Sequence, residues 1–250
     1  MNSTKKFIGK ADYYVKARPD YSNEFINYLS KNIIGADHKV IADIGSGTGK
    51  LSKEFIIRNF KTYCVEPNTD MRMAADEAYN NYANYISING TAENTTLESN
   101  SADVITVAQA FHWFDTVKFK TECKRILKKD GIVVLVWNSR VSDCPVNKAN
   151  AEVLKAYCPD FYGFSGGNDN VPQLIDKFFD GKFEVKHFEN NLSYNKNKFV
   201  ARNLSASYAL KYNDDKYPEF IEALKKLFDR FSINGKIIIP NETVAYWGRI

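Results

Sequence analysis

Val40-Ile41-Ala42-Asp43-Ile44-Gly45-Ser46-Gly47-Thr48-Gly49-Lys50-Leu51 joins a short apolar run to three glycines that alternate with small residues. A stretch with helical character, from Leu51 to Phe60, follows directly. This order predicts a strand, a tight turn and a helix, which is the first unit of a doubly wound α/β domain. Glycines in such a turn can adopt positive φ and allow a ligand to lie directly on the backbone.

The spacing of the glycines separates three kinds of nucleotide-binding turn. A P-loop needs a glycine where this chain has Ile44, and a serine or threonine where it has Leu51. The dinucleotide fingerprint G-x-G-x-x-G needs its last glycine at the position of Lys50. Both patterns are therefore disfavoured. The pattern present is Asp43-x-Gly45-x-Gly47-x-Gly49.

Composition limits the class of protein and its partners. A chain of 250 residues can hold one large α/β domain. A formal net charge of +4, scattered along the chain, does not favour binding to nucleic acid. The four cysteines form no C-x-x-C pair and no metal-ligand spacing, so we expect reduced thiols in the cytoplasm and no metal site. Because Met1–Lys10 lacks an apolar stretch and the longest apolar run, Ile132–Trp137, is short, we expect no secretory signal and no membrane span.

Strands that alternate with helices organise most of the chain as one domain with three parts. The predicted parts are an N-terminal arm and helix (1–36), a cofactor-binding core (37–138) and a C-terminal half (139–250). Further strands are predicted at Tyr63–Glu66, Tyr85–Asn89, Ala102–Ala108, Ile132–Trp137, Phe183–Glu189 and Thr243–Gly248. This alternation predicts a parallel sheet with helices on both faces. Helices between about 195 and 232 interrupt the last strand pair, and we predict that they form a lid over the carboxyl edge of the sheet.

Polar groups follow four of the predicted strands, where open α/β sheets bind their ligands. Asp43 closes the first strand and is placed to hold the glycine turn and to approach a ligand ammonium group. Glu66 closes the second strand about 20 residues after the first glycine, the spacing expected for an acid that binds ribose hydroxyls. After the third strand, Gly90-Thr91-Ala92-Glu93 can offer a backbone N–H to an adenine ring. After the fourth strand, Gln109-Ala110-Phe111-His112-Trp113-Phe114 brings polar and aromatic groups to the same edge.

These motifs, in this order and spacing, resemble the class I S-adenosylmethionine-dependent methyltransferases. The His112-Trp113-Phe114 ending, the arm Tyr14-x-x-x-Arg18-Pro19-x-Tyr21 and Leu204-Ser205-Ala206-Ser207-Tyr208 are similar to the subgroup that includes trans-aconitate methyltransferase. The resemblance implies a Rossmann-like, seven-stranded sheet with an antiparallel last strand and S-adenosylmethionine as methyl donor. Thr91 departs from the aspartate often found at that position, which weakens the expected contact with the adenine amine.

The resemblance also implies roles for individual residues. The predicted cofactor-binding residues are Tyr14, Arg18, Asp43, Gly45, Ser46, Gly47, Thr48, Gly49, Glu66, Pro67, Met71, Thr91, Ala92, Glu93, Gln109, Ala110 and Phe111. His112 and Trp113 are the predicted catalytic residues on the acceptor side, although a structural histidine is as well supported as a general base. Ser207 and Tyr208 would line the acceptor pocket from the lid.

The resulting hypothesis is a methyltransferase for a small-molecule acceptor, with a carboxylate as one option. An RNA or protein methyltransferase would need an open charged groove, which the near-neutral charge does not favour. A non-catalytic S-adenosylmethionine-binding protein remains a further alternative, and an NAD-dependent oxidoreductase is disfavoured by Lys50. The sequence does not identify the acceptor or the oligomeric state.

Overall fold

The structure is a computed structural model that describes residues 19–35, 39–164, 170–206 and 208–250. The chain folds as two compact units. Unit 1 contains the described residues up to Trp137, together with Asn170–Phe188 and Thr243–Ile250. Unit 2 contains the described residues of Asn138–Asp169 and Glu189–Glu242.

A seven-stranded sheet forms the centre of unit 1. The strands of the protein are β1 Val40–Ile44, β2 Lys61–Val65, β3 Tyr85–Ile88, β4 Ala102–Ala108, β5 Leu127–Arg140, β6 Glu184–Glu189, β7 Leu192–Tyr194, β8 Ile237–Ile239 and β9 Asn241–Gly248. The sheet has the order β3-β2-β1-β4-β5-β9-β6. Strands β1 to β5 pair in parallel, and the last strand is antiparallel. This order confirms the predicted Rossmann-like α/β sheet.

Helices connect β1 to β2, β2 to β3 and β4 to β5, as is usual between parallel strands, whereas a loop joins β3 to β4. The α-helices are α1 Asn23–Tyr28, α2 Ser52–Ile56, α3 Thr69–Tyr79, α4 Thr116–Ile126, α5 Pro145–Tyr157, α6 Val171–Phe179, α7 Lys196–Leu204 and α8 Tyr217–Phe231. A π-helical segment, Leu29–Ile34, continues α1, and Phe111–Trp113 forms one 3₁₀ turn. None of the described helices is long and apolar enough to cross a membrane.

The two faces of the sheet bury separate apolar clusters, because successive side chains of a strand point to opposite faces. In β5, Val133 and Leu135 pack with one cluster, which includes Phe119 of α4 and Phe178 of α6. Val134 and Val136 pack with the other, which includes Phe25 of α1 and Phe55 of α2. The sheet is therefore covered on both faces, and its strand ends supply the polar groups of the site.

Two predicted boundaries in unit 1 are wrong. The helix expected from Leu51 to Phe60 ends at Ile56, because Asn59 adopts a left-handed φ of 63° and stops it. The strand expected at Ile132–Trp137 begins earlier, at Leu127. Asp130 has a φ of 67°, and the β4–β5 register shifts between Ala102 and Val104, so β5 contains an irregularity ahead of its regular part.

Unit 2 is mainly helical and has its own core. That core includes Leu154 of α5, Phe199 of α7, and Phe220, Leu224 and Phe228 of α8. Strands β7 and β8 form a two-stranded antiparallel sheet that the sequence did not predict. Helices α7 and α8 lie within the range predicted to form the lid; its placement over the sheet stays a prediction.

Candidate functional site

The glycine turn after β1 is held against the end of β2 by backbone hydrogen bonds. The N–H groups of Gly45 and Ser46 donate to the carbonyl oxygen of Val65, over 2.8 and 3.1 Å. Gly45, Gly47 and Gly49 all have positive φ, at 68°, 58° and 78°. Residues with a side chain rarely adopt this conformation, so the alternating glycines are what allows the turn to form.

Close packing is a second reason why two of these positions are occupied by glycine. A Cβ atom on Gly45 would lie 2.8 Å from Cβ of Ala110 and 3.2 Å from Cζ of Phe114. A Cβ atom on Gly49 would lie 2.6 Å from Cε2 of Tyr79. The turn therefore contacts the segment after β4 directly, and the structure brings two of the predicted strand-end motifs together.

Asp43, at the end of β1, is a buried carboxylate with two hydroxyl donors. Ser52 Oγ donates to Oδ2 over 2.5 Å and Thr106 Oγ1 donates to Oδ1 over 2.8 Å. Burial raises the pKa of Asp43 to about 6, and the two hydroxyl hydrogen bonds oppose this rise. The carboxylate thus joins β1 to the start of α2 and to β4. Its contact with a ligand ammonium group stays a prediction.

Glu66 follows β2 and bridges two backbone segments. Its Oε2 accepts from the N–H of Gly47 over 2.9 Å, and its Oε1 accepts from the N–H of Asn68 over 2.8 Å. Burial raises the pKa of Glu66, while the two backbone hydrogen bonds and the charge of Arg72 oppose the rise. A carboxylate held in this way presents its acceptor oxygens at the glycine turn, where the hydroxyl groups of a diol could donate to them.

The residues after Glu66 bring α3 to the same turn. Asn68 caps the helix, since its Oδ1 accepts from the N–H of Met71 over 3.0 Å. Met71 is buried, and its sulfur would lie 3.7 Å from a Cβ atom placed on Gly47. The predicted residues Pro67 and Met71 therefore belong to the segment that adjoins the glycine turn.

The loop after β3 is anchored to the start of α4. Glu93 Oε1 accepts from the N–H of Asp115 over 2.9 Å, and Asp115 in turn caps α4 by accepting from the N–H of Lys118. Ala92 is buried, and Thr91 donates its N–H to the carbonyl oxygen of Asn94. These contacts connect the loop after β3, which we predicted to meet the adenine ring, with the segment after β4. The contacts with adenine themselves stay predictions.

The segment after β4 divides its aromatic residues between the core and the surface. Phe111 is fully buried and meets Phe119 and Phe178 edge to face, with ring centroids 6.3 and 5.1 Å apart. His112 and Trp113 lie side by side, with ring centroids 4.7 Å apart, and Trp113 is 43% exposed. Phe111 thus packs in the core, whereas the ring of Trp113 is exposed. The predicted catalytic roles of His112 and Trp113 stay predictions.

Some functional residues were missed, and others lie outside the described residues. Ser52 and Thr106, which bind Asp43, were not predicted; a threonine in the middle of an apolar strand was the available signal. Tyr14, Arg18 and Ser207 were predicted to contact the cofactor or the acceptor and fall outside the part of the chain that the structure describes.

Comparison with known families agrees with this arrangement. A family model described as a methyltransferase domain matches residues 42–135, which run from β1 into β5 and include the glycine turn and Glu66. Residues 42–135 are thus similar to a methyltransferase domain, and the sheet has the Rossmann-like fold of the class I methyltransferases. This class of domain and fold typically binds S-adenosylmethionine. The narrower resemblance of the methyltransferase domain to trans-aconitate methyltransferase stays a prediction.

Curated relatives of the methyltransferase domain occur in bacteria and eukaryotes. An uncharacterized methyltransferase of Mycobacterium tuberculosis is 35% identical over 127 residues, covering 51% of this chain and 49% of the relative. The chain thus spans about half the length of the mycobacterial relatives that it matches. A candidate methyltransferase of Dictyostelium discoideum is 26% identical over 254 residues, covering 94% of this chain and 91% of the relative.

Solved structures share the fold of the methyltransferase domain at low sequence identity. A candidate type II methyltransferase of Anaeromyxobacter dehalogenans has a TM-score of 0.62 and 17% identity, covering 92% of this chain and 95% of that chain. A candidate methyltransferase from an antibiotic biosynthesis pathway of Anabaena variabilis has a TM-score of 0.58 and 19% identity, covering 89% and 96%. At these identities the likeness shows the fold alone.

Proposed function

We propose that this protein transfers a methyl group from S-adenosylmethionine to a small-molecule acceptor, with a carboxylate as the favoured acceptor group. The observation that carries the proposal is the hydrogen bond between the Glu66 carboxylate and the N–H of Gly47, over 2.9 Å. It holds Glu66, the acid that we assign to the ribose hydroxyls, at a turn built from left-handed glycines. The match of a methyltransferase family model to the same residues supports this assignment.

The residues present fit a nucleoside cofactor. The glycine turn offers a surface without side chains, and Oγ of Ser46 is buried there with no hydrogen-bond partner among the described residues. A buried hydroxyl in this state indicates an absent polar partner. Glu66 would bind the ribose hydroxyls, the turn would hold the amino-acid part, and the backbone at Thr91 and Ala92 would meet the adenine ring.

Positioning is the main task that we assign to the protein. When bound, S-adenosylmethionine supplies a methyl carbon that forms a bond to the acceptor atom while its bond to sulfur breaks and sulfur keeps the electron pair. Alignment of reacting groups can contribute up to about 7–11 kcal/mol to such a displacement. Trp113 and His112 would shape the acceptor side and exclude water. A carboxylate acceptor is ionised near neutral pH and needs no general base, unlike a hydroxyl or an amine.

Calorimetric titration with S-adenosylmethionine, S-adenosylhomocysteine and NAD tests the cofactor. We expect both sulfur nucleosides to bind and NAD not to bind. Glu66→Ala should weaken the affinity for S-adenosylhomocysteine about tenfold or more, because a charge-assisted pair of hydrogen bonds is lost. Glu77→Ala, the same change at an exposed position of α3, is the control and should leave the affinity unchanged. Tight binding of NAD, or equal effects of the two substitutions, would contradict the proposal.

A transfer assay then separates an enzyme from a cofactor-binding protein. Radiolabelled S-adenosylmethionine is incubated with the protein and pools of small carboxylic acids, small alcohols and amines, RNA, or protein. We expect label in a small-molecule fraction, and label that is released by mild base if the acceptor atom is a carboxylate oxygen. Label in RNA or protein would overturn the small-molecule assignment.

A further inference from the structure

Unit 2 contains a half-buried cation that the proposed function does not use. Arg140 is the last residue of β5, and its Nη1 is buried without a hydrogen-bond partner among the residues that the structure describes. Its guanidinium carbon lies 4.0 Å from the ring centroid of Phe164, which is within the range of a cation–π contact. An aromatic face supports the charge but leaves the Nη1 donors of the guanidinium without an acceptor.

A second arginine lies close to the first. Arg202, on α7, has a buried Nε that also has no partner within the described ranges, and its Nη1 reaches Ser205 Oγ only at 3.4 Å. Burial and the charge of Arg202 lower the pKa of Arg140 to about 10. Besides Arg202, the groups that most affect the pKa of Arg140 are Tyr208, Tyr194 and the thiol of Cys144. None of these groups is a carboxylate. Within the part of the chain that the structure describes, these two cations thus share one region without a carboxylate partner.

The surroundings of the two arginines are aromatic and polar. Phe161 lies against both Phe164 and Tyr208, with ring centroids 5.3 and 4.9 Å apart, so the three rings form a continuous wall beside Arg140. Asn147 donates to the carbonyl oxygen of Val141, next to Arg140 in the chain, over 2.9 Å. The region therefore offers hydrogen-bond donors and flat apolar faces together.

The chemistry of these groups identifies the ligand. A buried, unpaired cation is costly, and an anion that fills its donors removes this cost. The guanidinium group presents parallel N–H donors that match the two oxygens of a carboxylate. Aromatic walls favour a small organic anion with an apolar or planar body over a strongly hydrated inorganic ion.

We propose that Arg140 and Arg202 form a binding site in unit 2 for the carboxylate group of a small organic molecule, with Phe164, Phe161 and Tyr208 contacting its carbon skeleton. The site lies within one unit and does not require that the proposed methyl transfer is correct. Its test needs no cofactor, so a failure of this proposal and a failure of the proposed function are distinguishable.

Direct binding to the full chain tests the site. Succinate, citrate and benzoate are titrated by calorimetry at constant ionic strength, in parallel with inorganic phosphate. We expect at least one carboxylate to bind, and Arg140→Met and Arg202→Met each to weaken that binding about tenfold or more, as for loss of a charge-assisted hydrogen bond. Methionine retains the unbranched stem and removes only the charged head. Arg230→Met, at an exposed position of α8 in the same unit, is the matched control and should leave the affinity unchanged.

Thermal unfolding supplies a readout that a purely structural arginine would not give. Without added anions, Arg140→Met should unfold at the wild-type temperature or higher, because it removes an unpaired buried charge. With the bound carboxylate, only the wild type and Arg230→Met should gain stability. Absence of carboxylate binding, binding that both buried-arginine variants retain, or binding of phosphate alone would overturn the proposal. If Arg140→Met lowers the unfolding temperature, its loss of binding could reflect a damaged fold. The affinity of Arg202→Met for the carboxylate then decides the test.

Discussion

The carboxylate of Glu66 accepts a hydrogen bond from the backbone N–H of Gly47, with Oε2 and N 2.9 Å apart. The same carboxylate accepts from the N–H of Asn68, the cap of α3. One side chain therefore connects the turn after β1 with the start of the helix after β2. Because both backbone donors are conformationally constrained, the position of the carboxylate is fixed before any ligand binds.

We expect Glu66→Gln to lower the free energy of unfolding by about 1–3 kcal/mol, since the amide nitrogen of glutamine would face a backbone N–H that needs an acceptor. Urea denaturation measures this change. Glu77→Gln, on the exposed side of α3, should stay within about 0.5 kcal/mol of the wild type. S-adenosylhomocysteine should raise the unfolding midpoint of the wild type and of the control much more than that of Glu66→Gln. An equal gain in all three proteins would show that Glu66 does not bind the ribose.

Two glycines of the turn should differ in their tolerance of a methyl group. Gly47→Ala places Cβ 3.7 Å from the sulfur of Met71, an ordinary contact, so it costs about 1–2 kcal/mol for the left-handed backbone alone. Gly45→Ala places Cβ 2.8 Å from Cβ of Ala110 and adds a steric cost of about 1–3 kcal/mol. Urea denaturation of both variants should rank Gly45→Ala as the less stable. Equal stabilities would contradict the close approach of the turn to Ala110.

The raised pKa of Asp43, about 6, predicts how stability changes with pH. The folded state holds the proton of Asp43 more strongly than the unfolded chain does, so this group favours folding below about pH 4. That contribution is lost as the pH rises towards 6. Asp43→Asn cannot lose a proton, and its amide can still accept from Thr106 and donate to the Ser52 oxygen. Its stability relative to the wild type should therefore rise by about 1–3 kcal/mol between pH 4 and pH 7.

Thermal or urea unfolding at pH 4.5, 5.5 and 7 measures the effect at Asp43. Asp160→Asn, an exposed aspartate in unit 2, is the control and should follow the wild-type profile. A constant difference between Asp43→Asn and the wild type across this range would show that burial does not raise the pKa of Asp43.

The parts of the fold that local patterns specify were predicted correctly. The glycine turn, the acids after β1 and β2 and the apolar strand β4 each depend on a short run of residues, and the parallel order of the sheet follows from their alternation. The partners of Asp43 were not predictable in this way. Thr106 lies 63 positions from Asp43 in the chain, and only the pairing of β1 with β4 brings the two together.

The remaining differences come from backbone conformations that the sequence pattern does not reveal. Asn59 and Asp130 adopt left-handed φ, which ends α2 early and places an irregularity near the start of β5. Short strands such as β7 contain only three residues, too few for an alternating pattern to be recognised. The sequence therefore predicted the sheet and the glycine turn, but not the side-chain contacts that hold the turn in place.

Trp113 provides an optical test of the predicted acceptor side. It is 43% exposed, whereas Trp247 is only 8% exposed and Trp137 is half-buried, so acrylamide should quench Trp113 most strongly. If S-adenosylhomocysteine binds beside the segment after β4, it should cover part of this indole and reduce quenching in the wild type. Trp113→Phe should abolish the ligand-dependent change and keep the affinity within about threefold, since an exposed ring contributes little binding energy. Trp247→Phe should retain the change. Loss of protection in Trp247→Phe, or its persistence in Trp113→Phe, would place the cofactor away from His112 and Trp113, and these two residues could not then orient the acceptor.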